Sequence, residues 1–118
     1  MTHDILVIDD DKRTRWSLTK NLARAGYRVQ QASSAAEGLA KAGESRPDLV
    51  LLNLRLPDGD GGSVLQDLLR CRPGLPVIMM SADVAPETVG RMRRLGARGF
   101  LTKPLAALLL QALIAYLL

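Results

Sequence analysis

Ile5-Leu6-Val7-Ile8-Asp9-Asp10-Asp11 sets four apolar residues, three of them β-branched, directly against three consecutive acids. An apolar run of this length without polar alternation suits a strand buried on both faces of a parallel sheet. Leu49-Val50-Leu51-Leu52 and Pro76-Val77-Ile78-Met79-Met80 repeat the pattern further along the chain. Arg28-Val29-Gln30-Gln31-Ala32 and Arg98-Gly99-Phe100-Leu101 are more mixed and read as strands nearer the sheet's edges.

Helical patterns fill the intervals. Residues 12–25 place Trp16, Leu18, Leu22 and Ala23 on roughly one side and stop at Gly26, a suitable C-terminal glycine. Ser34 followed by Glu37 is a capping box that opens a helix running to about Gly43. Val64, Leu65, Leu68 and Leu69 recur at helical spacing within residues 62–71. Pro86 falls in the first turn of a helix ending near Gly96, where a missing N–H breaks no intrahelical bond. From Leu105 onward every residue favours helix. The order βαβαβαβαβα predicts an α/β fold, a five-stranded parallel sheet doubly wound as (βα)5 with right-handed crossovers. In such folds the working site lies beyond the carboxyl ends of the strands.

Bulk properties narrow the class. The chain has 118 residues, 47% hydrophobic and 24% charged, which suits one globular domain. The net charge of +4 comes from scattered residues. Arg91, Arg93 and Arg94 form the tightest group and read as a solvated helix face, since no aromatic residues interleave them as in nucleic-acid patches. Cys71 is the single cysteine, so no internal disulfide forms and a reducing compartment is expected. No signal peptide opens the chain, and no apolar stretch reaches the roughly 18 residues needed to span a bilayer. A cytoplasmic protein, with neither membrane nor direct nucleic-acid contact, is the expectation.

What the strands carry at their carboxyl ends bears on function. The first ends in Asp9 and Asp10, the third in Asn53, the fourth in Ser81 and the fifth in Lys103-Pro104. Two acids, an amide, a hydroxyl and an ammonium would therefore converge on one sheet edge. Taken singly, each has an ordinary structural explanation; Asp11, for example, reads as the N-cap of the first helix.

These residues, together with Leu54-Arg55-Leu56-Pro57-Asp58-Gly59-Asp60-Gly61 and Met80-Ser81-Ala82, resemble the receiver domains of bacterial two-component response regulators over essentially the whole chain. Trp16 and the arginine before it are similar to receivers of sigma-54-type transcriptional activators. The resemblance implies a flavodoxin-like sheet, a Mg²⁺ site formed by Asp10 directly, Asp9 mainly through water and the backbone carbonyl of Arg55, and a phosphoacceptor at position 53. It further implies that Ser81 and Lys103 contact phosphoryl oxygens, and that Ser81 and Phe100 form a switch pair, although Phe100 reads equally as core. Its implied partners are a sensor histidine kinase or phosphotransfer protein and an output domain of the same regulator, with residues 1–118 as the N-terminal module. A cis bond at Lys103-Pro104 is common at that position of the family.

The departure is Asn53. A carboxylate can attack phosphorus, whereas an amide is neutral, delocalised and a poor nucleophile. Phosphotransfer is expected to fail, leaving no enzymatic activity unless residue 53 were Asp, and two carboxylates should hold Mg²⁺ more weakly than three. Either Asn53 is native, making a pseudo-receiver that acts as a phosphorylation-independent interaction module, or it is an engineered block in an ordinary regulator. A distant alternative is a small Asp-dependent phosphatase of haloacid-dehalogenase type using Asp9 or Asp10, although those enzymes separate their aspartates by one residue. A nucleotide-binding module lacks its glycine-rich signature after the first strand. Finally, Leu105–Leu118 is polar only at Gln111 and Tyr116. Such an apolar circumference predicts a partner surface, with homodimerisation through the fourth helix, last strand and last helix.

Overall fold

Alternate residues of the apolar runs feed two separate cores, which is why the runs show no polar alternation. The computed structural model describes residues 2–118. The elements are β1 (Asp4–Ile8), α1 (Lys12–Arg24), β2 (Arg28–Ala32), α2 (Ala35–Ser45), β3 (Leu49–Asn53), β4 (Arg55–Leu56), β5 (Gly59–Asp60), α3 (Gly61–Cys71), β6 (Val77–Ser81), α4 (Pro86–Arg94), β7 (Gly99–Thr102) and α5 (Ala107–Leu117). Five of the strands form one parallel sheet in the order β2-β1-β3-β6-β7. Leu6, Ile8, Val50, Leu52, Val77 and Met79 point to one face, where Val64, Leu65 and Leu68 of α3 and Met92 of α4 meet them. Ile5, Val7, Leu49, Leu51, Ile78 and Met80 point to the other, against Leu18 and Leu22 of α1 and Leu110 and Ile114 of α5. Every residue of the central strands β3 and β6 is buried. Burying one such Leu or Ile side chain contributes about 1.5–3 kcal/mol, so the doubly covered strands hold the sheet together. The two mixed strands, β2 and β7, are the edges, as their composition predicts.

Local details depart from expectation in instructive ways. Trp16 is 63% exposed, and Ala23 is exposed as well. Leu18 and Leu22, four residues apart, carry the buried stripe, and Trp16 lies about 200° around the helix from Leu18 at 3.6 residues per turn. Its ring lies instead under the Lys20 ammonium, 4.5 Å from the centroid. α2 runs past Gly43 to Ser45 and closes on Arg46 in the left-handed region, φ 48°. α5 starts at Ala107, not Leu105, after a cis Lys103-Pro104 bond and without a side-chain cap. A two-residue antiparallel hairpin, β4–β5, interrupts the connection from β3 to α3.

The capping box at α2 forms with a shift. Ser34 Oγ accepts from Glu37 N at 3.1 Å, but Glu37 Oε1 accepts from Ser33 N at 2.6 Å, one residue before the expected partner. The remaining orphan donors are met from a distance: Asp58 in the hairpin turn accepts from Ala35 N at 2.8 Å and Ala36 N at 3.0 Å. Those backbone N–H bonds, Ala36 first, hold the Asp58 carboxyl below its ordinary range, and the Ser33 N–H does the same for Glu37. Both folded-state values are depressed, so the stability they contribute is fully present above the unfolded values, about 4. It is lost as pH falls from there through the folded values. Asp58→Ala should therefore lower the melting temperature at neutral pH and flatten its decline below about pH 4. An unchanged acid slope in thermal melts would rule out Asp58 as the anchor of α2.

Candidate functional site

The strand order turns back between β1 and β3, so the carboxyl ends of these strands open a crevice at the edge of the sheet. Asp9 follows β1 directly and keeps the ladder going, its N–H donating to Ala32 O at 3.0 Å. Its carboxylate is wholly buried. Oδ2 pairs with Lys103 Nζ at 2.6 Å, and Oδ1 accepts from Asp11 N at 2.9 Å. The Asp9 carbonyl accepts from Arg15 Nη1 at 2.7 Å. Both carboxylate oxygens are thus engaged, and burial is offset by an opposite charge and a backbone donor. Asp11 caps α1 as expected, accepting from Arg13 N at 3.1 Å and Thr14 Oγ1 at 2.8 Å. The Thr14 hydroxyl, with the Arg13 N–H, lowers the Asp11 carboxyl from its ordinary value.

Asp10 is the acid left facing outward. Asn53, the last residue of β3, is buried beside it. The Asn53 amide nitrogen donates to the Arg55 carbonyl at 2.7 Å and reaches Asp10 Oδ1 at 3.4 Å. These two oxygens are of the hard type that suits a dication, yet the group between them presents N–H hydrogens. Among the described residues, no three His, Cys, Asp or Glu side chains gather into a set able to hold a metal ion. The backbone here is drawn close by Gly61, whose N–H donates to Leu54 O at 2.6 Å. A Cβ on Gly61 would lie 2.7 Å from Asn53 O and 2.9 Å from Leu54 Cα, so only glycine lets α3 start against the end of β3.

Ser81 ends β6 on the far side of Asn53 and is buried. Its Oγ accepts from Asp83 N at 3.0 Å. Asp83 Oδ2 in turn lies 3.5 Å from Arg55 Nη2, tying the β6–α4 loop to the hairpin across the mouth of the crevice. The Lys103 N–H donates to Ser81 O at 2.9 Å, holding the end of β7 alongside. Phe100 is half-buried and packs on the α2, α3 and α4 face, one strand over from Met79.

The structure therefore brings Asp9 to Lys103 and Asn53 to Asp10 and Arg55, while Ser81 turns toward its own loop and Phe100 belongs to the core layer. Reasoning from sequence missed Arg15, Asp83 and the anchoring role of Asp58. A signal existed for the turn at Ser81–Asp83, since a serine hydroxyl can accept from the backbone N–H two residues on, but none for the Asp83 carboxylate. Arg15 had none, because its partner is a main-chain carbonyl.

A family model described as response regulator receiver domain matches residues 5–115. The alkaline phosphatase synthesis transcriptional regulatory protein PhoP of Bacillus subtilis is 36% identical over 104 residues, 88% of this chain and 43% of that protein. The DNA-binding transcriptional regulator NtrC of a Bradyrhizobium species is 38% identical over 100 residues, 85% of this chain and 21% of that protein. Among solved structures, a CheY-like response regulator receiver domain protein from Methanospirillum hungatei superposes with a TM-score of 0.92 at 31% identity, covering 99% of this chain and 94% of that one. The chain thus spans less than half the length of the curated relatives it matches.

Proposed function

Since this chain belongs to the response regulator receiver domain family, we propose that it is a receiver module of two-component signalling whose covalent switch is blocked at Asn53. The observation that carries this reading is the Asn53 amide itself, buried at the crevice and hydrogen-bonded to Arg55 O where a receiver needs a free carboxylate. A neutral amide offers no oxygen able to displace a leaving group from phosphorus. Asp10, the Arg55 carbonyl and, behind them, Asp9 stand where a receiver would hold Mg²⁺, and with one carboxylate fewer the affinity of that site falls. Lys103 and Ser81 would contact a phosphoryl group, and Ser81 with Phe100 would relay its presence. The partners that fit are a sensor histidine kinase or phosphotransfer protein and the output domain of a longer regulator. Relatives named as transcriptional regulators support transcription control as the output. The burial of Asp9 and the engagement of both its oxygens count against a hydrolase that uses it as nucleophile. Intact mass after incubation with Mg²⁺ and a small-molecule phosphodonor tests the proposal: the chain should stay unmodified, and a gained phosphoryl group would overturn it.

The α5 surface supports self-association within this reading. Leu110 and Ile114 face the sheet, whereas Leu108 and Tyr116 are 82% and 86% exposed and Leu109 is also open. A contiguous apolar patch of this kind commonly marks an interface. Sedimentation across a concentration series should show a dimer growing in; monomer at every concentration would exclude this face as a dimer contact. Among the described residues, no helix is long and apolar enough to cross a membrane.

A further inference from the structure

We infer that the side-chain amide of Asn53 acts as a built-in substitute for the cation of this pocket, bridging the oxygens that would otherwise need a metal and keeping Mg²⁺ out. The inference rests on reading this edge as a receiver pocket, and goes beyond a mere loss of charge at position 53. Two orientations of the amide are open to it. With Oδ1 turned inward, three oxygens would face one another: the amide oxygen, Asp10 Oδ1 and Arg55 O. That arrangement is repulsive unless a cation sits among them. With Nδ2 turned inward, as in the structure, the amide donates to Arg55 O at 2.7 Å and to Asp10 Oδ1 at 3.4 Å. The first bond is of ordinary length and the second lies at the long limit, so the carbonyl is the main hold.

Amide orientation and cation occupancy are therefore mutually exclusive. A divalent ion entering the cradle must break both contacts, turn the amide over and then bind one carboxylate instead of two. The surroundings reinforce the nitrogen-inward state. Asn53 is buried, so a donor that lost these partners would find little water to replace them. Asp9 is already neutralised by Lys103 at 2.6 Å and has no call on a second cation. The pocket is thus complete without metal, in contrast to one that carries three acids against a single lysine.

The test separates this from charge loss alone. Melting temperature is followed against Mg²⁺ at constant ionic strength for the chain itself, Asn53→Ala and Asn53→Asp. The chain itself should not respond. Asn53→Ala, which removes the donor without restoring charge, should melt lower in the absence of Mg²⁺ and recover part of the difference when it is added. Asn53→Asp should show the largest Mg²⁺-dependent rise. An equal Mg²⁺ response from the chain and Asn53→Ala would overturn the inference, because charge alone would then govern binding. A flat response from all three would also overturn it, because the cradle would then be no cation site. The amide protons of Asn53, followed by NMR on the unaltered chain, give a readout that needs no variant. They should resist solvent exchange and keep their positions as Mg²⁺ is added, and a Mg²⁺-dependent shift would overturn the inference. Failure of the receiver reading is told apart by mass: Asn53→Asp would then bind Mg²⁺ without gaining a phosphoryl group.

Discussion

Asn53→Asp is expected to gain one phosphoryl group from a small-molecule donor in the presence of Mg²⁺, under conditions in which the chain itself gains none. The effect is close to all-or-none, because it turns on whether a nucleophile exists. The new carboxylate oxygen would form the bond to phosphorus while the bond from phosphorus to the donor's leaving group breaks, the leaving group keeping the electron pair. Around residue 53, Ser81 is buried at the end of β6, Lys103 lies against Asp9, and Gly61 holds the backbone close. The same substitution removes the two donor contacts to Arg55 O and Asp10 Oδ1 and sets a second carboxylate near Asp10. Like charges at that separation repel, so Asn53→Asp should gain its competence together with a lower melting temperature in metal-free buffer. Intact mass and thermal melts on one preparation read both effects. If Asn53→Asp stays unmodified, the pocket has lost more than its nucleophile, and a phosphorylation-independent interaction module becomes the better account.

The fold was legible because its signals are local and repeated. Ile5–Ile8, Leu49–Leu52 and Val77–Met80 are short runs of four apolar residues, a length that suits a strand covered on both faces. The mixed composition of Arg28–Ala32 and Arg98–Leu101 marked the edges, where most residues of β2 and β7 are only partly buried or exposed. Trp16 falls off the buried stripe because two residues from Leu18 is nearly the opposite face of a helix. The β4–β5 hairpin escaped notice because its strands have two residues each, too short for any periodicity.

The placement of these side chains at the strand ends was legible, and their hydrogen-bond partners were not. Acids, amide, hydroxyl and lysine at successive strand ends follow from topology alone. Which carboxylate takes the lysine depends on side chains 94 residues apart in sequence, Lys103 and Asp9, and no local pattern encodes that choice. The inward direction of the Asn53 nitrogen likewise depends on the Arg55 carbonyl, set by the backbone turn after β3. Asp58 shows the same limit: its Leu-Pro-Asp-Gly context announces a turn, but its partners are N–H groups of another helix.

Lys103→Met should be the most damaging single change outside the apolar core, lowering unfolding free energy by about 3–5 kcal/mol. The Asp9 side chain is fully buried and the Lys103 side chain is 20% exposed, so their 2.6 Å contact is shielded from solvent far more than a surface pair. Removing the ammonium leaves Asp9 with the Asp11 N–H as its remaining partner and with Asp10 next in the chain. Methionine keeps most of the lysine stem's volume, so the loss measures charge more than packing. For a domain with a typical total of about 5–15 kcal/mol, such a loss is a large share and should be plain in urea unfolding. Arg28 and Asp4 give the contrast, with side chains 68% and 36% exposed at a similar 2.7 Å; removing Arg28 should change little. The decisive comparison is Asp9→Leu combined with Lys103→Met. If the cost of Lys103→Met is the stranding of a buried carboxylate, the double variant should recover most of the stability lost by Lys103→Met alone. If the two losses simply add, the pair is not coupled, and the stabilisation by Lys103 does not come from its charge against Asp9.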